Sequence, residues 1–266
     1  MKYALTLSKM IVQNNTPINY FLKTNSEQIS CNTFLQKKIS LQFLNQINCS
    51  VCNRKIKKSF FEGLCYPCFQ SSPQASECIV RPELCRAHLG EGRDIEWEEK
   101  HHNQEHCVYL SNTTGMKVGV TRSSHIPSRW IDQGATEGVI IARTPNRFLA
   151  GCIEVALKAH ISDKTAWQRM LKLSHVEFDL EKKRDSLIPH LPDSLQQYCV
   201  KESPLSLCFP VFEYPKKIVS ISLDKHPNFT GILSGIKGQY FIFSSGEVCN
   251  IRKHTGYKVS LTVEQP

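Results

Sequence analysis

The sequence of 266 residues predicts an α+β protein in which both chain ends contribute to one β-rich unit. Apolar and polar residues alternate near both ends, whereas apolar residues recur every three or four positions in the middle. Two pairs of cysteines are also spaced as metal ligands. Hydrophobic residues make up 41% and aromatic residues 9% of the chain, which is enough for a folded core and excludes a disordered protein.

The predicted strands lie mainly at the two ends of the chain. Alternation over residues 3–7 and 39–43 predicts strands at the start, and residues 219–223 predict one near the end. Neither end carries enough strands to bury both faces of a sheet. We therefore expect segments 1–48 and 205–266 to pair with each other, and a separate barrel in the C-terminal segment is the alternative.

Three helices are predicted in the middle of the chain. They run from 146 to 161, from Ser162 or Asp163 through Trp167 and Met170 to Leu171, and from about 193 to 200. Asn146 is the expected N-cap of the first helix. The charge run 181–185 is interpreted as a solvated connector within a helical linking region, 176–204.

A zinc-binding region is predicted over residues 49–106. Two CxxC pairs, with twelve residues between them, can place four thiolates around one structural zinc ion. The predicted ligands are Cys49, Cys52, Cys65 and Cys68. Four unrelated buried or redox-active thiols are the alternative, although a redox CxxC needs a thioredoxin-like βαβ context that this sequence lacks.

A second group of metal-ligand residues follows the first. Cys78 precedes a CxxH pair formed by Cys85 and His88, and three more histidines come later at 101, 102 and 106. Cys78 and Cys85 with a histidine predict a second zinc site. The alternative is that the cysteines are small core residues and the histidines lie on the surface.

The charge balance favours a polyanionic partner. Lys and Arg number 33 against 24 acidic residues, a formal net charge of +9, which predicts nucleic acid as a partner, either DNA or RNA. Basic residues of the first zinc hairpin can contact phosphate, although a solvated loop fits them equally well; they are Arg54, Lys55, Lys57 and Lys58. No apolar run is long enough for a membrane span or a secretion signal, so we expect no membrane partner and a cytoplasmic location.

The stretch from Cys107 to about Leu171 resembles the GIY-YIG nuclease superfamily. Cys107-Val108-Tyr109 matches its first tripeptide, Lys117-Val118-Gly119 its second, Arg129 its helical arginine and Glu154 its glutamate. This chain departs from the pattern with a cysteine for the first glycine, a lysine for the tyrosine of the second tripeptide, and a short hairpin between them. The resemblance implies a GIY-YIG-like α/β region over residues 107–175, with a central sheet and flanking helices.

The resemblance also implies roles in phosphodiester hydrolysis. Tyr109 would serve as general base, Arg129 would hold the phosphate, Glu154 would bind magnesium and Lys117 would add positive charge. Arg122 would join Arg129 in contacting nucleic acid. As alternatives, Tyr109 is an ordinary strand aromatic, Arg129 an anchor without chemistry and Lys117 a surface charge. Glu154 is expected to face Tyr109 and Arg129 across a basic groove, paired with Arg129, Lys117 or magnesium.

The whole chain is also similar to an uncharacterised bacterial family, domain of unknown function 2797. The stretches that carry this similarity are Gly63–Phe69, Arg81–Cys85, Arg129–Ala135, Asp163–Trp167 and Gly235–Tyr240. The family pattern has cysteines where this chain has Gly92 and His102, which implies an altered or lost second metal site. The family has no established activity.

The expected function is a zinc-containing nucleic-acid-binding protein built on a GIY-YIG-like domain and without catalysis. A magnesium-dependent endonuclease of the GIY-YIG type is one alternative. A zinc-stabilised protein-interaction module is the other.

Overall fold

The computed structural model describes residues 1–24, 27–161, 166–172 and 177–264. The chain folds into two compact units. Met1–Phe69, Leu171–Ser174 and Leu207–Pro266 form the first, named the terminal unit. Gln70–Met170 and His175–Ser206 form the second, named the central unit. Both units contain strands and helical turns, so the α+β class predicted from the sequence is confirmed.

The regular elements are numbered along the chain. The strands are β1 Lys2–Thr6, β2 Ile11–Gln13, β3 Asn19–Lys23, β4 Gln28–Ser30, β5 Lys38–Asn48, β6 Lys55–Ile56, β7 His106–Asn112, β8 Met116–Arg122, β9 Glu137–Thr144, β10 Leu205–Ser206, β11 Val219–Ile221, β12 Asn228–Lys237, β13 Tyr240–Phe243, β14 Glu247–Asn250 and β15 Tyr257–Val263. The α-helices are α1 Tyr66–Ser71, α2 Ile95–His102, α3 Ser128–Asp132, α4 Arg147–Lys158, α5 Trp167–Met170, α6 Leu180–Leu187 and α7 Asp193–Gln196. Short 3₁₀ turns connect many of them.

Strands from both chain ends share the main sheet of the terminal unit. Its order is β1-β15-β5-β12-β13-β14-β11, with β6 beside the far end of β5. Tyr3 on β1 lies opposite Leu261 on β15, which also lies opposite Leu41 on β5. The expected pairing of the two ends is therefore present in this sheet. A separate small sheet joins β2, β3 and β4.

The central unit is built on a four-stranded antiparallel sheet with the order β10-β9-β7-β8. Helix α4 begins after Asn146, whose side chain accepts a hydrogen bond from the backbone N–H of Leu149 at 3.0 Å. Ile153 and Leu157 of α4 are buried in one core with Val108 and Leu110 of β7. The helix predicted from its apolar spacing and cap is thus confirmed, although it ends at Lys158.

The later helices differ from the sequence-based interpretation. The charge run 181–185 lies inside α6, where Glu181, Lys182 and Asp185 are exposed, as expected of a solvated connector, but Arg184 is buried. The run is helical because Asp179 caps it, Leu180 and Leu187 are buried, and Arg184 is buried with a hydrogen bond to the Glu202 carbonyl.

Two predicted helices are shorter in the described residues than the sequence suggested. The predicted start of the second helix, Ser162 or Asp163, lies outside the described residues, and its described part is α5. The third predicted helix is the short α7. In the parts of the chain that the structure covers, none of the helices combines the length and apolar character that a membrane crossing requires.

Candidate metal centres and nucleic-acid interface

The first metal-ligand group lies in the terminal unit and extends from the residue after β5 into the first turn of α1. One ligand atom from each of four cysteines lies within 4.8 Å of all the others; the four are Cys49, Cys52, Cys65 and Cys68. Four thiolates on a tetrahedral zinc ion, each about 2.3 Å from the metal, are separated by about 3.8 Å. The four cysteines can therefore hold a metal ion such as zinc.

Local hydrogen bonds explain how this group is positioned. The backbone N–H of Cys49 donates to the Arg54 carbonyl at 2.9 Å, and that of Asn53 donates to the Cys49 carbonyl at 3.0 Å. Asn53 has a φ of 56°, a left-handed conformation that asparagine tolerates better than most residues and that closes the turn. The backbone N–H of Cys65 donates to the Cys49 sulfur at 3.2 Å, which ties the second pair to the first.

The charge state of Cys49 suits metal binding. Burial raises the pKa of its thiol, but hydrogen bonds from the backbone of Cys52, Cys65 and Val51 outweigh burial and lower the pKa to about 6. The thiolate, which is the form that binds metals, therefore predominates at neutral pH.

The second metal-ligand group lies in the central unit and is fully buried. Ligand atoms of Cys78, Cys85, Glu98 and His102 all lie within 4.8 Å of one another. Nδ1 of His102 lies 3.7 Å from the Cys78 sulfur and contacts a carboxylate oxygen of Glu98. The structure thus brings the predicted Cys78 and Cys85 together. The histidine beside them is His102, whereas the predicted His88 is outside this group, with its ring stacked 4.6 Å from that of Phe148.

Helix α2 explains why Glu98 and His102 approach the cysteines. The Asp94 side chain caps the helix by accepting a hydrogen bond from the Trp97 N–H at 3.0 Å. Glu98 and His102 are four residues apart, so they lie on the same face of the helix, and each is only 3% exposed. Sequence reasoning missed Glu98, because its Glu-x-x-x-His spacing becomes informative only once a helix is assigned there.

The residues of the first tripeptide match lie on β7 and those of the second on β8. Tyr109 lies opposite Gly119, and Lys117 lies opposite Ser111. A Cβ atom at position 119 would lie 2.5 Å from the Tyr109 hydroxyl oxygen, so the buried tyrosine ring needs a glycine there. The Tyr109 hydroxyl donates to the Gln133 side chain at 3.2 Å, and Tyr109 is 0% exposed.

Arg129 and Glu154 lie on different helices of the same unit. Arg129 is on α3, and Glu154 is a buried residue of α4 that forms an ion pair with Lys158 at 3.3 Å. Lys158 was not among the partners expected from the sequence. Arg147, which sequence reasoning missed, lies close enough for both charges to act on it. Burial lowers its pKa, the Glu154 carboxylate opposes this effect and the Arg129 charge adds to it.

Arg122, the other basic residue predicted to contact nucleic acid here, ends β8 opposite His106 and is partly exposed. Burial lowers its pKa, and the nearby charge of Arg147 adds to this effect.

The predicted basic residues between Cys52 and Cys65 are all exposed, but they face different surroundings. Lys57 and Lys58 line a cleft of about 730 Å³ in the terminal unit, together with Arg252 and Lys253. Arg54 instead forms a hydrogen bond with the Cys52 sulfur, which raises the pKa of its guanidinium. Lys55 lies on β6 opposite Asn48.

An aromatic cluster borders this cleft. The ring of Phe60, which lines the cleft, is 5.3 Å from that of Tyr66 and 6.0 Å from that of Phe69. Tyr66 is 53% exposed and Phe69 is 37% exposed. The ammonium group of Lys58 lies 5.7 Å from the centre of the Phe60 ring. Sequence reasoning missed Tyr66 and Phe69, and it also missed Arg252 and Lys253, which no local pattern connects to lysines so far away in the chain.

Comparison with known protein families identifies the family of this chain. A family model described as "Protein of unknown function (DUF2797)" matches residues 36–259, more than four-fifths of the sequence. The chain belongs to this family. The match covers both metal-ligand groups and the residues of the cleft, so all of these features lie within the DUF2797 region. No curated protein and no solved structure matches the chain.

Proposed function

We propose that this protein is a zinc-containing nucleic-acid-binding protein that binds single strands on the surface beside its four-cysteine group. This binding surface is defined by the aromatic cluster of Phe60, Tyr66 and Phe69 and by the basic cleft of Lys57, Lys58, Arg252 and Lys253. The observation that carries the proposal is the exposure of aromatic rings directly beside lysines. Single-strand binding requires this combination, because bases stack on rings while cations neutralise phosphates.

The charge distribution within the cleft favours an anionic ligand. Four basic residues line it against the two carboxylates of Glu62 and Asp224. Glu62 forms an ion pair with Arg252, and Asp224 accepts hydrogen bonds from the Tyr257 hydroxyl at 3.0 and 3.1 Å. The four basic residues outnumber the two carboxylates, so the lining of the cleft keeps a net positive charge.

The zinc group supports this surface mechanically. Lys57 and Lys58 follow directly after β6, and Tyr66 lies between the ligands Cys65 and Cys68. A metal ion on the four thiolates would hold the lysine segment and the aromatic segment at a fixed separation. Little conformational entropy would then be lost in ordering these side chains on binding, which is the advantage of a preorganised site.

Contacts in the central unit favour a GIY-YIG-like domain that has no catalytic activity. The pairing of Tyr109 with Gly119 on adjacent strands is the arrangement that the two tripeptides of that superfamily would require. A general base must reach its substrate, yet Tyr109 is buried and its hydroxyl donates to Gln133. These contacts favour a structural role for Tyr109 and binding without cleavage, with the magnesium-dependent endonuclease as the alternative.

The test is binding of fluorescent single-stranded DNA and RNA oligonucleotides, measured by anisotropy over a range of salt concentrations. The variant Lys57→Glu/Lys58→Glu should bind at least about tenfold more weakly, and its log–log salt dependence should be shallower by about one to two. The matched control is Lys216→Glu/Lys217→Glu, an adjacent exposed lysine pair of the same unit that lies away from the cleft and should bind as the wild type does.

Other results would select another function. Binding that is absent, or that does not depend on salt, would overturn the proposal and favour the protein-interaction module. Cleavage of either substrate that requires magnesium would establish the endonuclease instead.

A further inference from the structure

The segment 72–102 of the central unit has almost no hydrophobic core of its own. It consists of short 3₁₀ turns followed by α2. Several of its large apolar side chains face outward, with Val80 at 71%, Leu89 at 58% and Ile95 at 60% exposure. The buried hydrophobic cluster of the segment comprises Cys78, Cys85 and Ala87, with Phe148 packed against it. So little apolar burial is typical of a segment that is held by something other than a core.

Four metal-binding side chains converge at this cluster. Cys78 and Cys85 come from two successive turns, and Glu98 and His102 come from one face of α2. Their exposures lie between 1% and 7%, and their ligand atoms all lie within 4.8 Å of one another. A carboxylate is almost never fully buried unless it is paired or coordinates a metal, and here it shares one small space with two thiols and an imidazole. Two sulfurs, one nitrogen and one oxygen are a donor set suited to tetrahedral zinc.

Gly92 explains how a carboxylate can occupy the fourth position. A Cβ atom at this glycine would lie 2.5 Å from Cγ and 3.1 Å from Oε1 of Glu98. Any side chain at position 92 would therefore enter the space that the Glu98 carboxylate fills. The absence of a side chain at Gly92 therefore leaves room for the Glu98 carboxylate beside the cysteines.

Neighbouring residues hold the first ligand in place. The Ser76 hydroxyl lies 3.3 Å from the Cys78 sulfur. Arg147, on the first turn of α4, donates from Nε to the Cys78 carbonyl and from Nη2 to the Ile79 carbonyl, each at 2.9 Å. Such support from outside the ligand set is typical of a built metal site. It also connects the segment to α4, the helix that carries Glu154.

We propose that Cys78, Cys85, Glu98 and His102 form a second zinc site, separate from the four-cysteine group and closed to substrate. Four protein ligands leave no open coordination position, so the role of the ion is structural. The ion cross-links the two turns to α2 and so replaces the hydrophobic core that the segment lacks.

The experiment measures zinc by elemental analysis in full-length protein purified without chelator. The wild type should hold two zinc ions per chain. His102→Ala should hold one, whereas His101→Ala should keep both, because His101 lies next to it on α2 with its ring stacked 4.1 Å from Trp97 and outside the ligand group. His88→Ala should also keep both. Equal zinc contents in His102→Ala and His101→Ala would overturn the proposal, as would a wild type whose single zinc disappears in Cys65→Ser.

A rescue variant keeps the test decisive if single variants fold poorly. Glu98→Ala should hold one zinc ion, and adding Gly92→Cys to Glu98→Ala should restore the second by placing a thiolate where the carboxylate was. With cobalt in place of zinc, the restored site should show a stronger sulfur-to-cobalt charge-transfer band than the wild type, since it gains a thiolate. Failure of the double variant to regain the ion, in protein whose circular dichroism matches the wild type, would contradict the proposed ligand set.

Discussion

The two metal-ligand groups differ in how the chain assembles them. In the terminal unit, four cysteines arrive in two CxxC pairs around a hairpin, and Cys52 is exposed. In the central unit, two cysteines from successive turns meet a glutamate and a histidine from a helix, and all four are buried. The first group borders a basic and aromatic surface, whereas the second lies within a segment that has little hydrophobic core of its own.

This difference separates two uses of a metal ion. An ion at the exposed hairpin would fix side chains that face solvent, so its loss should affect binding. An ion at the buried group would hold backbone turns against α2, so its loss should affect folding of that segment. Loss of the metal ion should therefore have different consequences at the two groups.

The largest effect is expected from breaking the four-cysteine group. Cys65→Ser removes a buried ligand, so one zinc ion should be lost, and the lysine and aromatic segments should no longer be held together. Oligonucleotide affinity, measured by anisotropy, should fall by at least about tenfold. His102→Ala is the matched control, and it should lose one ion while keeping its affinity. Equal affinity losses in both variants would remove the functional distinction between the groups.

The two groups should also release zinc at different rates. A mercurial reagent reaches the exposed Cys52 directly, whereas the ligands in the central unit are covered. Zinc release, followed with a colorimetric chelator, should have two phases whose rates differ by a factor on the order of ten or more. The fast phase should be missing in Cys65→Ser. A single phase in the wild type would show that burial does not distinguish the groups.

Acid should act on the central unit through His106, which is 0% exposed. Burial lowers the pKa of His106 to about 3, against about 6.5 in an unfolded chain. Between these values the unfolded state binds the extra proton, so stability is full above about pH 6.5 and is lost as pH falls toward 3. The slope should be about 1.4 kcal/mol per pH unit from this residue.

The measurement is urea unfolding of wild type and His106→Gln at several pH values between 7 and 4. Carboxylates add the same pH dependence to both proteins, so the difference between them isolates His106. The variant should have a shallower pH dependence, and identical dependences would contradict the assignment.

The smallest effect is expected at Glu154. Its pair with Lys158 is only partly buried, because the Lys158 side chain is 31% exposed, so Glu154→Gln should cost about 1 kcal/mol of unfolding free energy. A double-mutant cycle with Lys158→Met should show that this cost depends on the lysine. Oligonucleotide binding should not change. Magnesium-dependent cleavage that is present in the wild type and absent in Glu154→Gln would instead make this carboxylate a catalytic ligand.

Local patterns anticipated the features that lie close together in the sequence. The apolar spacing and Asn146 cap predicted α4, and the two CxxC pairs predicted the first cysteine group. The pairing of the two chain ends was also anticipated, but side-chain groups assembled by tertiary structure were not. Glu98 joins Cys78 only because α2 lies against the preceding turns, and Arg252 reaches the cleft of Lys58 from 194 positions away.

The charge run 181–185 shows a different limit of pattern reading. Its polarity indicated a solvated segment, yet Arg184 is buried. The guanidinium can be buried because it donates hydrogen bonds to the Glu202 carbonyl and the Asp185 carboxylate. Similarly, the CxxH spacing favoured His88, but the side chain that meets the cysteines depends on which face of a later helix turns inward.

The order of strands in the terminal unit has a consequence for synthesis on the ribosome. Strand β5 lies between β15 and β12, so its two edges are completed by residues more than 180 positions later. The central unit is nearly contiguous in sequence and can begin folding while the later strands are still untranslated. Until residues 257–263 emerge, β5 keeps an open edge and is exposed to wrong pairing. A ribosome-stalled chain ending near residue 210 should therefore resist protease in the central unit and be cleaved within β5.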